Sequence, residues 1–168
     1  PYTVRGFVSV GDWKYQNQAF SRTYNEDREL LEESSNDVDG GDVGDAAQFT
    51  AGVGLDIELA ERLSVDGDVR FYDNLFADVG PTANNLELPN YQLMDLGLSY
   101  KMLLDSGSLD IRLNLNNVFD KINIGELRTA IVAGDEDATG VLYNGIDTGN
   151  EGFFGLGRTW NLSLRYNF

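Results

Sequence analysis

Carboxylates are the most numerous side chains in this sequence that could bind a metal or transfer a proton. Its 168 residues include 28 Asp and Glu against 12 Lys and Arg, a net charge of −16, and they include neither cysteine nor histidine. Disulfides and thiolate metal sites are therefore excluded, and so are the commonest general base and the commonest neutral metal ligand. We predict no catalytic residue, no cofactor-binding residue and no bound cofactor, and we expect the chain not to be an enzyme.

One acidic run has the composition of a calcium-binding loop. Residues 36–45 read Asn-Asp-Val-Asp-Gly-Gly-Asp-Val-Gly-Asp, so the candidate ligands are Asp37, Asp39, Asp42 and Asp45. The glycines stand at the wrong offsets for an EF-hand, and no Glu follows at the position that binds calcium through both oxygens. A flexible, solvated acidic loop is the alternative, since runs of charge usually face water.

A second acidic group lies in a predicted hairpin. Asp56, Glu58, Asp66 and Asp68 stand on either side of a short connection and alternate with apolar residues. Because side chains alternate between the two faces of a strand, these four share one face and place acid opposite acid. Arg70 is the nearest cation on these two strands. We expect positive charge from elsewhere to compensate; solvation in a wet interior is the alternative.

The elements that carry these residues are six predicted strands. Apolar and polar residues alternate with the period of two that is typical of β-strands. The first strand, about Val4 to Tyr15, has an undecided facing, because Val8 and Val10 compete with Phe7 and Trp13 for the apolar side. The predicted apolar faces of the other five are Phe49, Ala51, Val53, Leu55, Ile57 and Leu59; Leu63, Val65, Val69 and Phe71; Met94, Leu96, Leu98, Tyr100 and Met102; Leu109, Ile111, Leu113 and Leu115; and Trp160, Leu162, Leu164, Tyr166 and Phe168.

The lengths of strands and connections favour a membrane protein. Most of the strands exceed the roughly 5–6 residues usual in soluble sheets and reach the roughly 9–11 of a tilted membrane strand. Short connections (60–62 and 105–107) alternate with long ones (16–46, 74–90 and 119–152), as in outer-membrane barrels with periplasmic turns and extracellular loops. The long connections hold 18 of the 28 acids and four cations, hence −14 of the net −16. We expect them to be solvated, and their sign argues against nucleic acid as a partner.

Three segments resemble TonB-dependent outer-membrane receptors. Residues 113–121, Leu-Asn-Leu-Asn-Asn-Val-Phe-Asp-Lys, resemble the "N-L-F-D-K" stretch near the end of these receptors, with Val118 where the family usually has Leu. Residues 90–100 resemble the preceding "P-x-Y-x-x-x-D-x-x-x-x-Y" strand, and residues 157–168 are similar to the closing "G-R-x-…-Y-x-F" strand. Residues 11–15, Gly-Asp-Trp-Lys-Tyr, also resemble a motif of receptors of the Bacteroidetes type.

The resemblance implies an all-β fold and a place within it. Receptors of this kind have barrels of about 22 strands around a plugged lumen. Residues 1–168 would be the C-terminal six antiparallel strands of one transmembrane β-barrel domain, with the plug and the earlier strands absent. The implied location is the outer membrane of a Gram-negative cell, crossed many times. The implied function is active uptake of a scarce nutrient such as siderophore-bound iron, a glycan, a peptide or a vitamin.

The same resemblance implies partners and residue roles. The partners would be membrane lipid, lipopolysaccharide (bridged by divalent ions at the acidic loop), the plug and other strands of the same protein, TonB through the plug, the assembly machinery and a surface lipoprotein. The residues expected to face the lumen and the plug are Asp56, Glu58, Asp66, Asp68 and Arg70, and the four acids among them are expected to dock Arg or Lys of the plug. The residues expected to face lipid and to form the signal for assembly are Trp160, Leu162, Leu164, Tyr166 and Phe168.

Three other interpretations stay open. A plugless porin would share the strands but not the three motifs. An outer-membrane lipase or protease would need its histidine from elsewhere. A secreted β-sandwich with adhesive loops would bury the outward set of Phe49, Val53, Ile57, Val65, Leu96, Leu113 and Leu164, which a barrel exposes. The loop aromatics, which would either contact substrate or pack the loops together, are Tyr24, Phe76, Tyr143, Phe153 and Phe154.

Overall fold

The computed structural model describes residues 1–78, 80–128, 136 and 138–168. This part of the chain consists of strands and their connections. None of its residues forms a helix long and apolar enough to cross a membrane. In chain order the strands are β1 (Tyr2–Val10), β2 (Gln18–Tyr24), β3 (Leu30–Asp37), β4 (Phe49–Ala60), β5 (Leu63–Asp73), β6 (Leu75–Phe76), β7 (Glu87–Leu88), β8 (Tyr91–Leu104), β9 (Gly107–Asn116), β10 (Ile124–Arg128), β11 (Leu142–Tyr143), β12 (Ile146–Asp147), β13 (Glu151–Phe154) and β14 (Thr159–Asn167).

Six of these strands form one antiparallel sheet in the order β1-β4-β5-β8-β9-β14. They are the six strands that the alternation predicts, and the other eight pair as four two-stranded sheets within the long connections. Consecutive long strands pair because tight turns join β4 to β5 and β8 to β9. Strands β1 and β14 are the two edges of this open sheet. We call its ends the turn end and the loop end, after the connections that leave there.

The first strand is shorter than predicted, ending at Val10 and not at Tyr15. Beyond Val10 the chain turns away from β4; the Trp13 carbonyl accepts from the Val43 N–H (3.0 Å), and the Trp13 backbone also bonds to the side chain of Gln48. Its Oε1 accepts from the Trp13 N–H (2.8 Å), and its Nε2 donates to the Trp13 carbonyl (3.1 Å). Gln48 is only 4% exposed, so this buried amide replaces a strand neighbour for Trp13.

The register settles the facing of β1, which the sequence leaves undecided. Val4 pairs with Leu55 and Val8 with Ala51, and both partners lie on the apolar face of β4. Cross-strand partners in an antiparallel pair point to the same side of the sheet. The valines of β1 therefore join the apolar face, and Phe7, which lies opposite Gly52, joins the polar face.

The apolar face of the sheet has no second layer over it within the described residues. Val53 is 56% exposed, Leu113 40% and Leu164 63%. The other members of the outward set, Phe49, Ile57, Val65 and Leu96, are half-buried by their neighbours in the sheet. This arrangement is not the core of a sandwich.

A left-handed asparagine follows each strand that runs towards the loop end. Asn17, Asn74 and Asn117 follow β1, β5 and β9, with φ of 66°, 52° and 51°. Asparagine tolerates this conformation better than most residues because its short polar side chain bonds locally. Asn17 and Asn74 lie directly before β2 and β6, and Asn117 lies directly after β9.

The buried apolar residues lie in the long connections and not on the large sheet. We call the three connections, residues 11–48, 74–90 and 117–158, the loop layer. The amide of Asn85 joins its first two segments, donating to the carbonyls of Asp42 (3.0 Å) and Asp78 (2.7 Å). The sequence predicts these connections as solvated loops, but apolar side chains interrupt the acids and collapse together. The cluster comprises Leu75, Ala77, Leu88, Ile124, Leu127 and Ile146.

Candidate functional site

The polar face of the sheet carries the lumen-facing residues that the sequence predicts. Asp56 and Asp66 are direct cross-strand partners, and Asp68 is paired with Asp95 of the next strand. Glu58 pairs with Ser64 on the same side. The predicted placement of acid opposite acid is therefore present, and each pair needs a compensating charge.

Arg112 supplies that charge to Asp66 from two strands away. Its Nη1 lies 2.8 Å from Asp66 Oδ1 and its Nη2 lies 2.9 Å from Asp66 Oδ2, and Nη1 also donates to Ser99 (2.9 Å). The pair crosses over Gly97 of the strand between them. A Cβ at this position would lie 2.5 Å from the Asp66 carboxylate and 2.7 Å from Arg112 Nη2, so only glycine leaves the path open.

Two further arginines neutralise the remaining aspartates. Arg5 on the edge strand forms an ion pair with Asp56. Arg70 lies between Asp68, whose Oδ1 is 2.9 Å from its Nε, and Asp95, with which it also forms an ion pair. The sequence predicts that a plug supplies the compensating positive charge. In the structure, three of the four predicted acids already have an arginine partner within the sheet.

Glu58 is the predicted acid that forms no ion pair within the described residues. It lines a concavity of about 750 Å³ at the turn end of the polar face, together with Arg62 and Lys101. Docking of a plug arginine or lysine on this face stays a prediction, and Glu58 is the acid left for it.

Removing Arg112 will test the polar-face ion pairs. We expect Arg112→Gln to cost about 1 kcal/mol, since the pair is bidentate but partly exposed to solvent. Asp66→Asn in the same chain should recover part of the loss, because it removes the carboxylate left beside Asp56. The measurement is denaturant unfolding of the full-length protein. Arg165→Gln is the matched control, because Arg165 forms no ion pair in the described part of the chain. Equal losses at the two arginines would contradict the assignment.

Asn117 ties together the segments that carry the family resemblance. Its backbone N–H donates to Asp95 Oδ1 (2.8 Å), and its Nδ2 donates to the carbonyls of Lys121 (2.7 Å) and Leu156 (2.9 Å). Its Oδ1 accepts from the Lys121 N–H (3.0 Å). Asn117 is only 5% exposed, so its side chain is saturated by the protein itself.

A second set of contacts reinforces this link. Asp120 Oδ1 accepts from the Arg158 N–H (2.7 Å), and the Val118 N–H donates to the Met94 carbonyl (2.7 Å). The three resembling segments, far apart in sequence, therefore meet at the loop end of the sheet. We call this meeting point the motif junction; its residues are Asp95, Asn117, Asp120, Lys121, Leu156 and Arg158. Sequence reasoning recognised the motifs but missed their contact, because nothing local encodes it.

The four candidate calcium ligands are not brought together. Asp42 lies 2.7 Å from the Lys14 ammonium, and this hydrogen bond raises the pKa of Lys14. Asp39 Oδ1 accepts from the Asn17 N–H (3.0 Å), and Asp37 Oδ1 accepts from the Asp39 N–H (3.1 Å). In the described ranges, no group of three or more acidic residues is placed to hold a metal ion. These carboxylates shape the loop, and the calcium prediction gains no support from their geometry.

Another loop carboxylate is held in the same way. Asp147 accepts from the Gly149 N–H (2.8 Å) and from the Thr139 hydroxyl (2.8 Å). The Gly149 bond is the main reason that the pKa of Asp147 is lowered. Because the charged form is the one that is bonded, this turn is most stable above the ordinary pKa of an aspartate and weakens as the pH falls.

The closing strand has the predicted alternation. Strand β14 pairs with β9 so that Trp160 lies opposite Leu115 and Leu164 opposite Ile111. The five residues of the expected assembly signal are all exposed: Trp160, Leu162, Leu164, Tyr166 and Phe168. Their role in assembly stays a prediction.

The loop aromatics divide between packing and exposure. Tyr143 and Phe154 contact each other edge to face, with ring centroids 6.0 Å apart. Phe76 is half-buried, whereas Tyr24 and Phe153 are exposed. Tyr143 and Phe154 are also exposed at 41% and 56%, so each of these aromatics except Phe76 is accessible to a ligand.

Comparison with known proteins shows what this arrangement resembles. No protein-family model matches the chain, and no curated protein sequence matches it. Among solved structures, it is similar to the siderophore receptor PiuA from Acinetobacter baumannii, with 16% identity and a TM-score of 0.53. The chain shares the fold of part of that receptor. The match covers 97% of this chain and 21% of the receptor chain, so the chain spans about a fifth of the receptor's length.

Proposed function

We propose that this chain is the C-terminal barrel segment of a TonB-dependent outer-membrane receptor for active uptake of a scarce nutrient. The fold shared with part of a siderophore receptor over 97% of the chain carries the proposal. Two further features support it: one face of the sheet is apolar and uncovered, and the other is lined by ion pairs. A wall between lipid and a wet lumen needs both faces.

The proposal gives each part of the chain a role. The apolar face contacts lipid, and the edge strands β1 and β14 pair with the other strands of a closed barrel, since open edges do not occur in lipid. The loop layer lies outside the cell and contributes to ligand capture. The plug of the same protein, remodelled through TonB, provides the gate. The exposed side chains of β14 serve the assembly machinery, and a surface lipoprotein is a further partner. The chain has no enzymatic role.

Uptake by the full-length protein will test this function. We expect cells of a Gram-negative host lacking its own iron-chelate receptors to accumulate radiolabelled iron from at least one siderophore when they produce the protein. A protonophore should abolish the uptake, because the transport is energised. Host cells without TonB are the control and should accumulate none.

Three outcomes would contradict the proposal. Entry of many small solutes that the protonophore leaves unchanged would identify a porin. Recovery of the protein outside the membrane, with adhesion to surfaces, would identify a binding module. Absence of uptake for iron chelates, glycans, peptides and cobalamins alike would exclude an importer of these nutrients.

A further inference from the structure

A cavity of about 570 Å³ lies at the loop end of the sheet, beside the start of β8. It forms where β9 has ended and the chain has turned at Asn117, so the segment 120–124 and the turn at Tyr143 and Asn144 form its other wall. Its size falls within the roughly 300–1,000 Å³ of small-molecule sites. Phe71 and Gln92 both line it. They are cross-strand partners, and both positions belong to the apolar face of the sheet. The cavity therefore includes the apolar-face side of the sheet at its loop end, which is the lipid side of the proposed wall.

Four side-chain amides line this cavity: Asn90, Gln92, Asn123 and Asn144. None of them has a side-chain hydrogen-bond partner within the described residues. The amides of Gln48, Asn85 and Asn117, by contrast, are used by the protein for its own backbone. Each free amide offers two donor hydrogens and a carbonyl acceptor. The cavity thus presents alternating donors and acceptors that no protein group consumes.

Aromatic rings and balanced charge complete the lining. Phe71 is 37% exposed and Tyr143 is 41% exposed, so both offer an accessible ring. Lys121 and Asp120 also line the cavity, and their opposite charges balance, so the lining residues in the described part of the chain carry no net charge. A ligand that suits this lining is neutral, has many hydroxyl groups that both donate and accept, and has apolar C–H faces that pack on aromatic rings.

We propose that this cavity binds a saccharide. Its hydroxyls bond to the four amides, and the apolar face of one sugar ring packs on Tyr143 or Phe71. The saccharide is either free or the sugar headgroup of a glycolipid. Which of these sources applies rests on the proposed function, since a glycolipid reaches the cavity only if the apolar face contacts a membrane. The loop layer forms part of its wall, but the site is separate from the part of the transport path that runs through the lumen, because it lies on the opposite side of the sheet from the ion pairs.

Binding by the full-length protein will test the site. The probes are a panel of soluble oligosaccharides added to protein in detergent, and nanodiscs with and without a glycolipid that carries the same sugars. We expect one member of the panel to bind, and Asn90→Ala combined with Gln92→Ala to weaken it about tenfold or more through the loss of two amide partners. Tyr143→Ala, which removes the ring, should weaken it independently. The matched control is Asn84→Ala combined with Gln18→Ala, two exposed amides outside the cavity, which should leave affinity unchanged.

The outcomes separate this site from the proposed function. Binding to soluble sugar assigns a free saccharide, and binding only to glycolipid nanodiscs assigns a headgroup. Binding without any nutrient uptake upholds the site while removing the transport function. Absence of binding in both arms overturns the site, and so does equal affinity in the double variant and its control. Uptake that falls in parallel with binding would overturn the separation from the transport path.

Discussion

Leu113→Arg is expected to lower the free energy of unfolding in a membrane by about 2–4 kcal/mol, the cost of a cation on the lipid face of a barrel near the bilayer centre. Leu113 lies in β9 between Leu98 and Leu162 on the apolar face and is 40% exposed. No neighbouring layer gives the guanidinium a partner or water. The measurement is denaturant unfolding of the full-length protein in lipid vesicles.

The adjacent residue provides the matched control. Asn114 lies on the polar face and donates to Asn161 Oδ1 (2.8 Å), so Asn114→Arg should cost less than about 1.5 kcal/mol, the loss of one exposed hydrogen bond. Both variants introduce the same arginine, so a difference between their free energies of unfolding reports the different surroundings of the two faces. Equal effects at the two positions would show that the apolar face does not contact lipid.

Asn117→Ala is expected to destabilise the full-length protein by about 3 kcal/mol, because buried backbone groups lose their partners and alanine strains the left-handed backbone. The carbonyls of Lys121 and Leu156 and the N–H of Lys121 would all be left without the Asn117 side chain. The motif junction would open, and the start of β14 would lose its anchor to the end of β9. Thermal or denaturant unfolding and protease sensitivity of the loop layer are the measurements.

Asn17→Ala separates strain from hydrogen bonding. Asn17 has a similar φ of 66°, but its side chain has no hydrogen-bond partner within the described residues and it is exposed. Its replacement should cost only the strain, roughly 1–2 kcal/mol. Asn117→Gly, which tolerates the backbone but lacks the amide, should cost less than Asn117→Ala by roughly the strain of 1–2 kcal/mol. If Asn17→Ala and Asn117→Ala lose the same free energy of unfolding, the side-chain hydrogen bonds of Asn117 do not contribute to stability.

The loop layer and the polar face together suggest how the segment is organised around its proposed role. In the described part of the chain, the long connections are held to one another by a shared apolar cluster and by the amide of Asn85. Ion pairs on the polar face join Arg5 to Asp56, Arg112 to Asp66, and Arg70 to Asp68 and Asp95. Ligand capture would therefore depend on exposed side chains of the loop layer, such as Tyr24 and Phe153.

Six strands, and the two faces of five of them, were predictable from the order of the residues alone. Alternation of period two is a local property, and the tight turns at Glu61 and Ser106 force neighbouring strands to pair, so both can be read from adjacent residues. The expectation that acid would lie opposite acid in the hairpin followed from the same two facts. The sequence motifs also pointed to the receptor family whose fold the structure partly shares.

Contacts between residues far apart in the sequence became known from the folded structure. Arg5 and Asp56 are 51 residues apart and Arg112 and Asp66 are 46 apart, and each pair exists only once the strand register is set. The same holds for the facing of β1, which depends on its partner strand, and for the bonds from Asn117 to Leu156. The apolar residues of the loop-layer cluster show no period in the sequence, because the strands that carry most of them are only two to five residues long. Local pattern fixes how each strand presents its side chains, but long-range pairing fixes what those side chains touch.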